Sequence, residues 1–407
     1  MKLTFPKTVL FYNNKDFRTI VIRVFFFFDS ILTGILSEMT EDYPSEEKLK
    51  IAKLENYILN CGCRNAIYGS KSAIYFDLII PDSYTLEEDY IERQIKLFEG
   101  LIYRPMVKDN KFLDFEVERF KKMMETYINN SYKDLRAYQD IKLRNLVDDT
   151  DNGYLTMDIT DHPEIIKVIN SDKLYHFYLD KVFNNNCFVM AMGNIEEDKI
   201  CSLINKYIVH KPLKELEVNY YSYLKINKEI NEVNEKGLFK DSSLSYIYKI
   251  KDCSKDDDLM LEVINGLLSS QSSRLLGKKL RDEEELVYST KVIPYTHFGM
   301  FEITAFINKD NKKIVGDKIL EVIEDLKNKE LIKPLLENLK ERRRINLLRS
   351  LDSIYSISLD HFNEVFKLDD TQEEKYKKML NISEDDIANF MERFVLDSIL
   401  FIEEEDE

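Results

Sequence analysis

The chain has 407 residues, of which 44% are hydrophobic and 32% charged, and its formal net charge is −16. That length suggests two or three domains, and the composition supplies a sizeable core and does not fit a disordered chain. A chain this acidic is repelled by phosphate backbones, which argues against a nucleic-acid partner, whereas a neutral or basic peptide is readily accommodated.

The opening MKLTFPKTVLFYNN has no long apolar segment followed by a small-residue cleavage site, so no secretory signal is expected there. Strands are predicted over about 3–13 and 17–29. The apolar run TIVIRVFFFFDSIL carries Arg23 and Asp29 and is too short for a bilayer, so it reads as a strand buried on both faces, not a membrane span. A helix is predicted near 30–41. Another opens at Ser45, a good N-cap, with Leu49, Ala52, Ile58 and Leu59 at helical spacing. The strands NAIYG and SAIYFDLIIP meet at Gly69 and Ser70, a short hairpin signal. Helices follow over about 85–102 and 112–145 and after Ser171, then a buried strand, CFVMAMG, and a short helix, EEDKICSLINKYI.

The second half repeats this order. Strand LSYIYKI leads into helix DDDLMLEVINGLLSS, helix SSRLLGKKLRDEEE and the strands VYSTKVIPY and GMFEITAFI. A helix over 312–328, a very long one over 329–359, a helix capped by Ser383 and a last strand, SILFIEE, complete it. Ser171 and Ser383 open equivalent units about half the chain apart. The prediction is an α+β protein of two homologous α/β domains, each a mostly antiparallel sheet packed against helices, enclosing a clam-shell cleft. Residues 1–212 form the first domain, the polar stretch 213–237 a linker, and 238–407 the second.

Five scattered cysteines imply free thiols in a reducing cytoplasm. Cys61-Gly62-Cys63 lacks zinc-knuckle spacing and a second pair, and reads as two small residues at a strand start. The basic spot ERRRIN, Glu341 to Asn346, reads as a solvated helix face paired with acids.

One stretch is more specific. Ser272-Ser273-Arg274-Leu275 is followed by Arg281 and, seven positions on, by Tyr288 and Ser289. With the duplicated halves, this resembles the insulinase/pitrilysin family of zinc peptidases (the inverzincins), which includes the mitochondrial processing peptidases. CFVMAMGNIEEDKICSLINKYI is similar to the end of that family's first domain. FRTIVIRVFFFFDS, with EDYPSEEKLKIAKLENYILN, is similar to a bacterial subgroup that has lost the metal site and is often encoded beside an intact relative.

The resemblance implies where a metal motif would lie. HxxEH places two histidines on one helix face to bind zinc, with the glutamate as general base. Here the matching positions are Ala52, Glu55 and Asn56, and the distant third ligand falls at Glu116 or Glu118. None of the five histidines has another four residues away, so no metal is expected on this chain. The resemblance then gives Arg281 and Tyr288 the role of donors to a peptide carbonyl as it becomes an oxyanion, supplied in trans to a zinc-bearing HxxEH relative. It implies a heterodimer with that relative, a homodimer being the alternative, and a peptide substrate, with no membrane involved. The other readings are a catalytically dead scaffold, like the core subunits of some respiratory complexes, and a peptide holder in the maturation of a modified peptide. The bland reading pairs Arg281 with Glu284 and Glu285 and places the Tyr288 ring in the core.

Overall fold

The computed structural model describes residues 2–27, 35–36, 38–68, 71–82, 88–148, 153, 155–156, 158–269, 275–282 and 285–405. In chain order the first half contains β1 (Val9–Asn13), β2 (Thr19–Phe27), α1 (Glu46–Glu55), β3 (Asn60–Tyr68), β4 (Lys71–Pro81), α2 (Glu88–Tyr103), α3 (Asp114–Lys133), α4 (Leu135–Val147), α5 (Ser171–Tyr178), β5 (Phe188–Gly193) and α6 (Glu197–Tyr207). The second contains β6 (Asn231–Gly237), β7 (Ser242–Ile250), α7 (Asp258–Ser269), α8 (Leu275–Gly277), which runs on as a π-helical turn (Lys278–Asp282), β8 (Val287–Tyr295) and β9 (Met300–Ile307). It closes with α9 (Lys312–Asp325), α10 (Lys329–Leu351), α11 (Ile354–Phe366), α12 (Gln372–Leu380), α13 (Glu384–Met391) and β10 (Phe394–Glu404).

The strands form two five-stranded sheets, ordered β1-β5-β2-β4-β3 and β6-β10-β7-β9-β8. The orders are the same once the second is renumbered from its own first strand. In each sheet the first pair is parallel (β1 with β5, β6 with β10) and the remaining pairs are antiparallel. The α+β class and the duplication are therefore features of the fold. The central strands explain themselves: Ile20 to Phe26 of β2 and all of β7 are buried, as strands covered on both faces must be.

The chain gathers into two compact units that are discontinuous in sequence. One comprises Met1–Tyr127, His162–Tyr220 and Ser353–Asp369; the other comprises Ile128–Asp161, Tyr221–Asp352 and Asp370–Glu407. In the first, α11, which comes late in the chain, packs on the first sheet: Phe362 stacks on Phe25 with ring centroids 4.5 Å apart. In the second, α4, which comes early, covers the second sheet, where Leu143 and Val147 share a core with Ile247, Met300 and Leu400.

Two expected long helices are each broken in two. The predicted 112–145 helix divides at Asp134, whose carboxylate caps α4 by accepting from Ala137 N at 2.9 Å. The predicted 329–359 helix divides at Ser353, whose hydroxyl accepts from Ser356 N at 3.3 Å. Both residues have extended backbone that a capping side chain stabilises, with no glycine or proline to mark the break. The helix from Ser45 is shorter than its spacing suggested. It ends at Glu55, and Asn60 already begins β3.

The stretch read as a linker holds strand. Glu215–Glu217 pairs with Lys2–Thr4, and β6 lies at a sheet edge beside β10. The polar sequence NEVNEKG suits an edge strand, where charge discourages pairing with another chain. Of the predicted helix near 30–41, residues 30–34 and 37 lie outside the described residues, as do Gly69 and Ser70, and the described remainder is turn and bend, with Thr40 bridging Pro105 instead of continuing a helix.

Candidate functional site

The two candidate motifs occupy equivalent places in their units, each at the junction between a short helix and an edge strand. In the first unit α1 leads to β3; in the second, α8 and its π-helical turn lead to β8.

α1 starts as its sequence dictates. Ser45 Oγ accepts from Lys48 N at 3.2 Å, and Glu46 and Glu47 sit in the positive first turn. Its far end is closed by Tyr57 at φ +53°, with Ile58 N donating to Lys53 O at 2.9 Å. This left-handed close satisfies the last carbonyls of the helix. Ala52 is buried and offers no ligand atom. Asn56 turns its amide back on the helix: Nδ2 donates to Ala52 O at 2.8 Å, and the buried Gln94 Nε2 donates to Asn56 O at 2.6 Å. Glu55 is exposed.

Glu116, in the first turn of α3, already has a cation. Its Oε2 accepts from Arg119 Nε at 3.0 Å and Nη2 at 2.8 Å, and Arg119 also pairs with Glu38. Burial and the Glu46 carboxylate push the Glu116 carboxyl up. Glu118 is exposed and bonded to Lys121 at 3.2 Å. The residues expected at the metal-motif positions do not fit zinc: Ala52 has no ligand atom, Asn56 is an engaged amide, and the Glu116 carboxylate is paired with a guanidinium. Among the described residues no group of three or more His, Cys, Asp and Glu is placed to hold a metal. Cys61 and Cys63 lie on β3, and burial pushes the Cys61 thiol up to about 12, which makes it unreactive.

The second junction is built differently. Leu280 is fully buried and anchors the π-helical turn, leaving Arg281 exposed on it. Leu286 N donates to Leu280 O at 2.9 Å, and Glu285, at φ +52°, reverses the chain as Tyr57 does in the first unit. On β8 the register against β9 slips by one residue at Tyr288: Val287 pairs with Ile307, but Ser289 pairs with Phe306. Such a bulge inserts an unpaired residue and redirects its side chain. Tyr288 is 60% exposed, which corrects the reading that puts its ring in the core. Ser289, the next residue, accepts from Arg136 Nη2 of α4 at 2.7 Å, which fixes the strand just beyond the bulge. Leu275 of the SSRL stretch is buried; Ser272, Ser273 and Arg274, like Glu284, lie outside the described residues.

Sequence reasoning missed one constellation in each unit. Asp77 of β4 is fully buried and accepts from Tyr355 OH of α11 at 2.7 Å and from Asn60 Nδ2 at 2.9 Å, beside the buried Arg23 of β2. Glu302 of β9, also fully buried, is held by Thr304 Oγ1 at 2.7 Å, Lys291 Nζ at 3.0 Å, Tyr295 OH at 3.1 Å and Gln139 Nε2 of α4 at 3.2 Å. Each polar cluster fastens to its sheet the helix drawn from the other half of the sequence. A lone acid within an apolar strand, as in SAIYFDLIIP and GMFEITAFI, was the available signal.

Comparison with known proteins agrees with the fold. Residues 169–342 match the family model described as the Peptidase M16 inactive domain. A conserved protein from Enterococcus faecalis V583 has a similar structure over 100% of this chain and 99% of its own, with a TM-score of 0.88 at 18% identity. A protease from Helicobacter pylori aligns over 99% of each chain, with a TM-score of 0.75 at 14% identity. A peptidase M16 inactive domain from Pseudomonas fluorescens aligns over 100% of this chain and 98% of its own, with a TM-score of 0.74 at 14% identity. No curated protein matches the sequence. Among the described residues no helix is long and apolar enough to cross a membrane. Residues 169–342 thus resemble the Peptidase M16 inactive domain, the chain along its whole length shares the fold of these solved structures, and its sequence carries no HxxEH motif.

Proposed function

We propose that this chain is the non-zinc subunit of a heteromeric insulinase-type peptidase, binding peptide and lending Arg281 and Tyr288 to the active site of a zinc-bearing relative. The fold without HxxEH supports a peptide-binding scaffold, and the exposure of Tyr288 at the bulge carries the reading further. A phenol kept merely for packing would be buried. This one is held out at an open sheet edge, next to a turn that also exposes Arg281.

The chemistry follows from the donors. An extended peptide added to the free edge of β8 would be held by main-chain hydrogen bonds. The Arg281 guanidinium can grip a peptide carbonyl with two N–H groups, and the Tyr288 hydroxyl can donate to an oxygen gaining negative charge. Neither residue can activate water, so the chain alone hydrolyses nothing in this reading. The expected partner is a relative carrying HxxEH and its zinc, and the free thiols suit a reducing cytoplasm.

The test is reconstitution of the pair with Arg281→Ala and Tyr288→Phe. Loss of one oxyanion donor typically costs about 2.7–4 kcal/mol in the transition state. Peptide hydrolysis should fall at least about tenfold in each variant while gel filtration shows the pair intact. Full turnover in both variants would leave a binding scaffold and reject the trans-acting site.

A further inference from the structure

Helices α7, α10 and α12 of the second unit line a cavity of about 450 Å³, within the range of small-molecule sites. Leu259, Val263, Leu339 and Met379 give it an apolar wall, and Glu262, Arg342 and Arg343 are its charged lining. Gly266 lets α7 and α10 meet beside it, since a Cβ there would come within 2.7 Å of Leu339 Cδ1. The helices are in close contact at that point, so the cavity is not slack left by loose packing.

The charges around it do not cancel. Glu262 is already engaged by the buried Lys375 and lies 3.5 Å from Arg343 Nη2. That Nη2 is buried and makes no hydrogen bond. Arg342 is half-buried and has no ion-pair or hydrogen-bond partner among the described residues. Arg344, by contrast, is tied to Glu341 at 2.6 Å. The basic ERRRIN stretch thus divides: Arg344 is the solvated pair that its sequence suggests, whereas Arg342 and Arg343 line the cavity. Arg343 and Lys375 thus both contact Glu262, whereas Arg342 has no ion-pair partner among the described residues. A half-buried guanidinium without a partner and a buried N–H without a hydrogen bond are both costly, and an anion with oxygens spaced for these N–H groups removes that cost.

We propose that this cavity binds a small molecule bearing a carboxylate or phosphate group on an apolar body. Arg342 and Arg343 take the anion, and the Leu259 to Met379 wall takes the body. The site stands apart from the peptidase reading and does not depend on it.

Calorimetric titration of the intact chain with N-acetylleucine, N-acetylleucine amide and inorganic phosphate tests this. At least one of the two anions should bind and the amide should not, with affinity falling as salt rises. Arg342→Gln should weaken binding about tenfold or more, and Arg344→Gln should leave it unchanged. Arg342 has no hydrogen-bond or ion-pair partner among the described residues, so the variant should melt with the wild type, and a ligand-induced rise in melting temperature gives a second readout. Tighter binding of N-acetylleucine than of phosphate would identify a carboxylate ligand, and the reverse a phosphate. The site is refuted if neither anion binds, if the amide binds as well as the acid, or if Arg342→Gln has no effect.

Discussion

Replacing Asp77 tests how α11 is held on the first sheet. Its carboxylate is fully buried and accepts from Tyr355 OH at 2.7 Å and Asn60 Nδ2 at 2.9 Å; Tyr355 lies 278 residues further along the chain. Hydrogen bonds to a charged group contribute about 1.5–3 kcal/mol each. Removal also leaves the Tyr355 hydroxyl and the Asn60 amide without this acceptor and takes the negative charge from Arg64, whose Nε lies 3.8 Å from Asp77 Oδ1. These effects overlap, so Asp77→Ala should destabilise the first unit by about 3–5 kcal/mol in total. Tyr355→Phe removes the bond to the carboxylate, together with the longer one its hydroxyl accepts from Asn60 Nδ2 at 3.3 Å, and should cost about 1.5–3 kcal/mol. In the double variant the two losses should not add, leaving a coupling energy of about 1.5 kcal/mol. Urea denaturation followed by circular dichroism measures all three. A temperature scan should show a fall of about 6–20 °C for Asp77→Ala, at roughly 2–4 °C per kcal/mol for a unit of this size. A loss below about 0.5 kcal/mol, or simple additivity, would mean that α11 is not fastened through this carboxylate.

Other outcomes follow from the same physical reasoning. Hydrogen bonds from Tyr207 and Lys206 hold the Glu92 carboxyl at about 2, against an ordinary 4.5. A carboxyl lowered on folding adds stability that is complete above its unfolded value and lost as pH falls through the folded one, here from about 4.5 towards 2. Glu92→Gln should flatten that acid limb in urea midpoints taken at about pH 6, 4 and 3, and an unaltered slope would count against the assignment. Gly193 closes β5 at φ +154°, where a Cβ would meet Ile20 Cα and Thr19 O at 2.9 Å. Gly193→Ala should cost at least about 2 kcal/mol, read as a lowered urea midpoint. The isolated chain, exposed to zinc and desalted, should retain only a small fraction of an equivalent; mass-spectrometric metal analysis showing close to one zinc per chain would overturn the proposed division of labour.

Much of the fold was legible because its signals are local. The apolar runs of β2, β5 and β7 announced buried strands, and Ser45, Asp134, Ser353 and Ser383 cap their helices as such residues should. Two of those caps were read past, at Asp134 and Ser353, because helical periodicity continues on both sides and only the capping hydrogen bond ends the helix. The small helix α12 was missed although its capping box, Thr371 with Glu374, stands in the sequence. The candidate site was legible in residue type and spacing but not in orientation. Nothing in ELVYSTK says that Tyr288 is a bulge residue, since a register slip depends on how β8 meets β9.

The sequence by itself determined that the chain is duplicated and that it carries no HxxEH, because an element order and a missing pair of imidazoles are written in the primary structure. Only the tertiary structure decided which sheet α4 and α11 cover, that Asp77 and Glu302 fasten them, and that Tyr288 faces solvent. A helix's apolar stripe records that it will be buried but not against what. That choice is made by buried polar partners far apart in the chain, where an unmatched carboxylate would cost more than the local pattern can show.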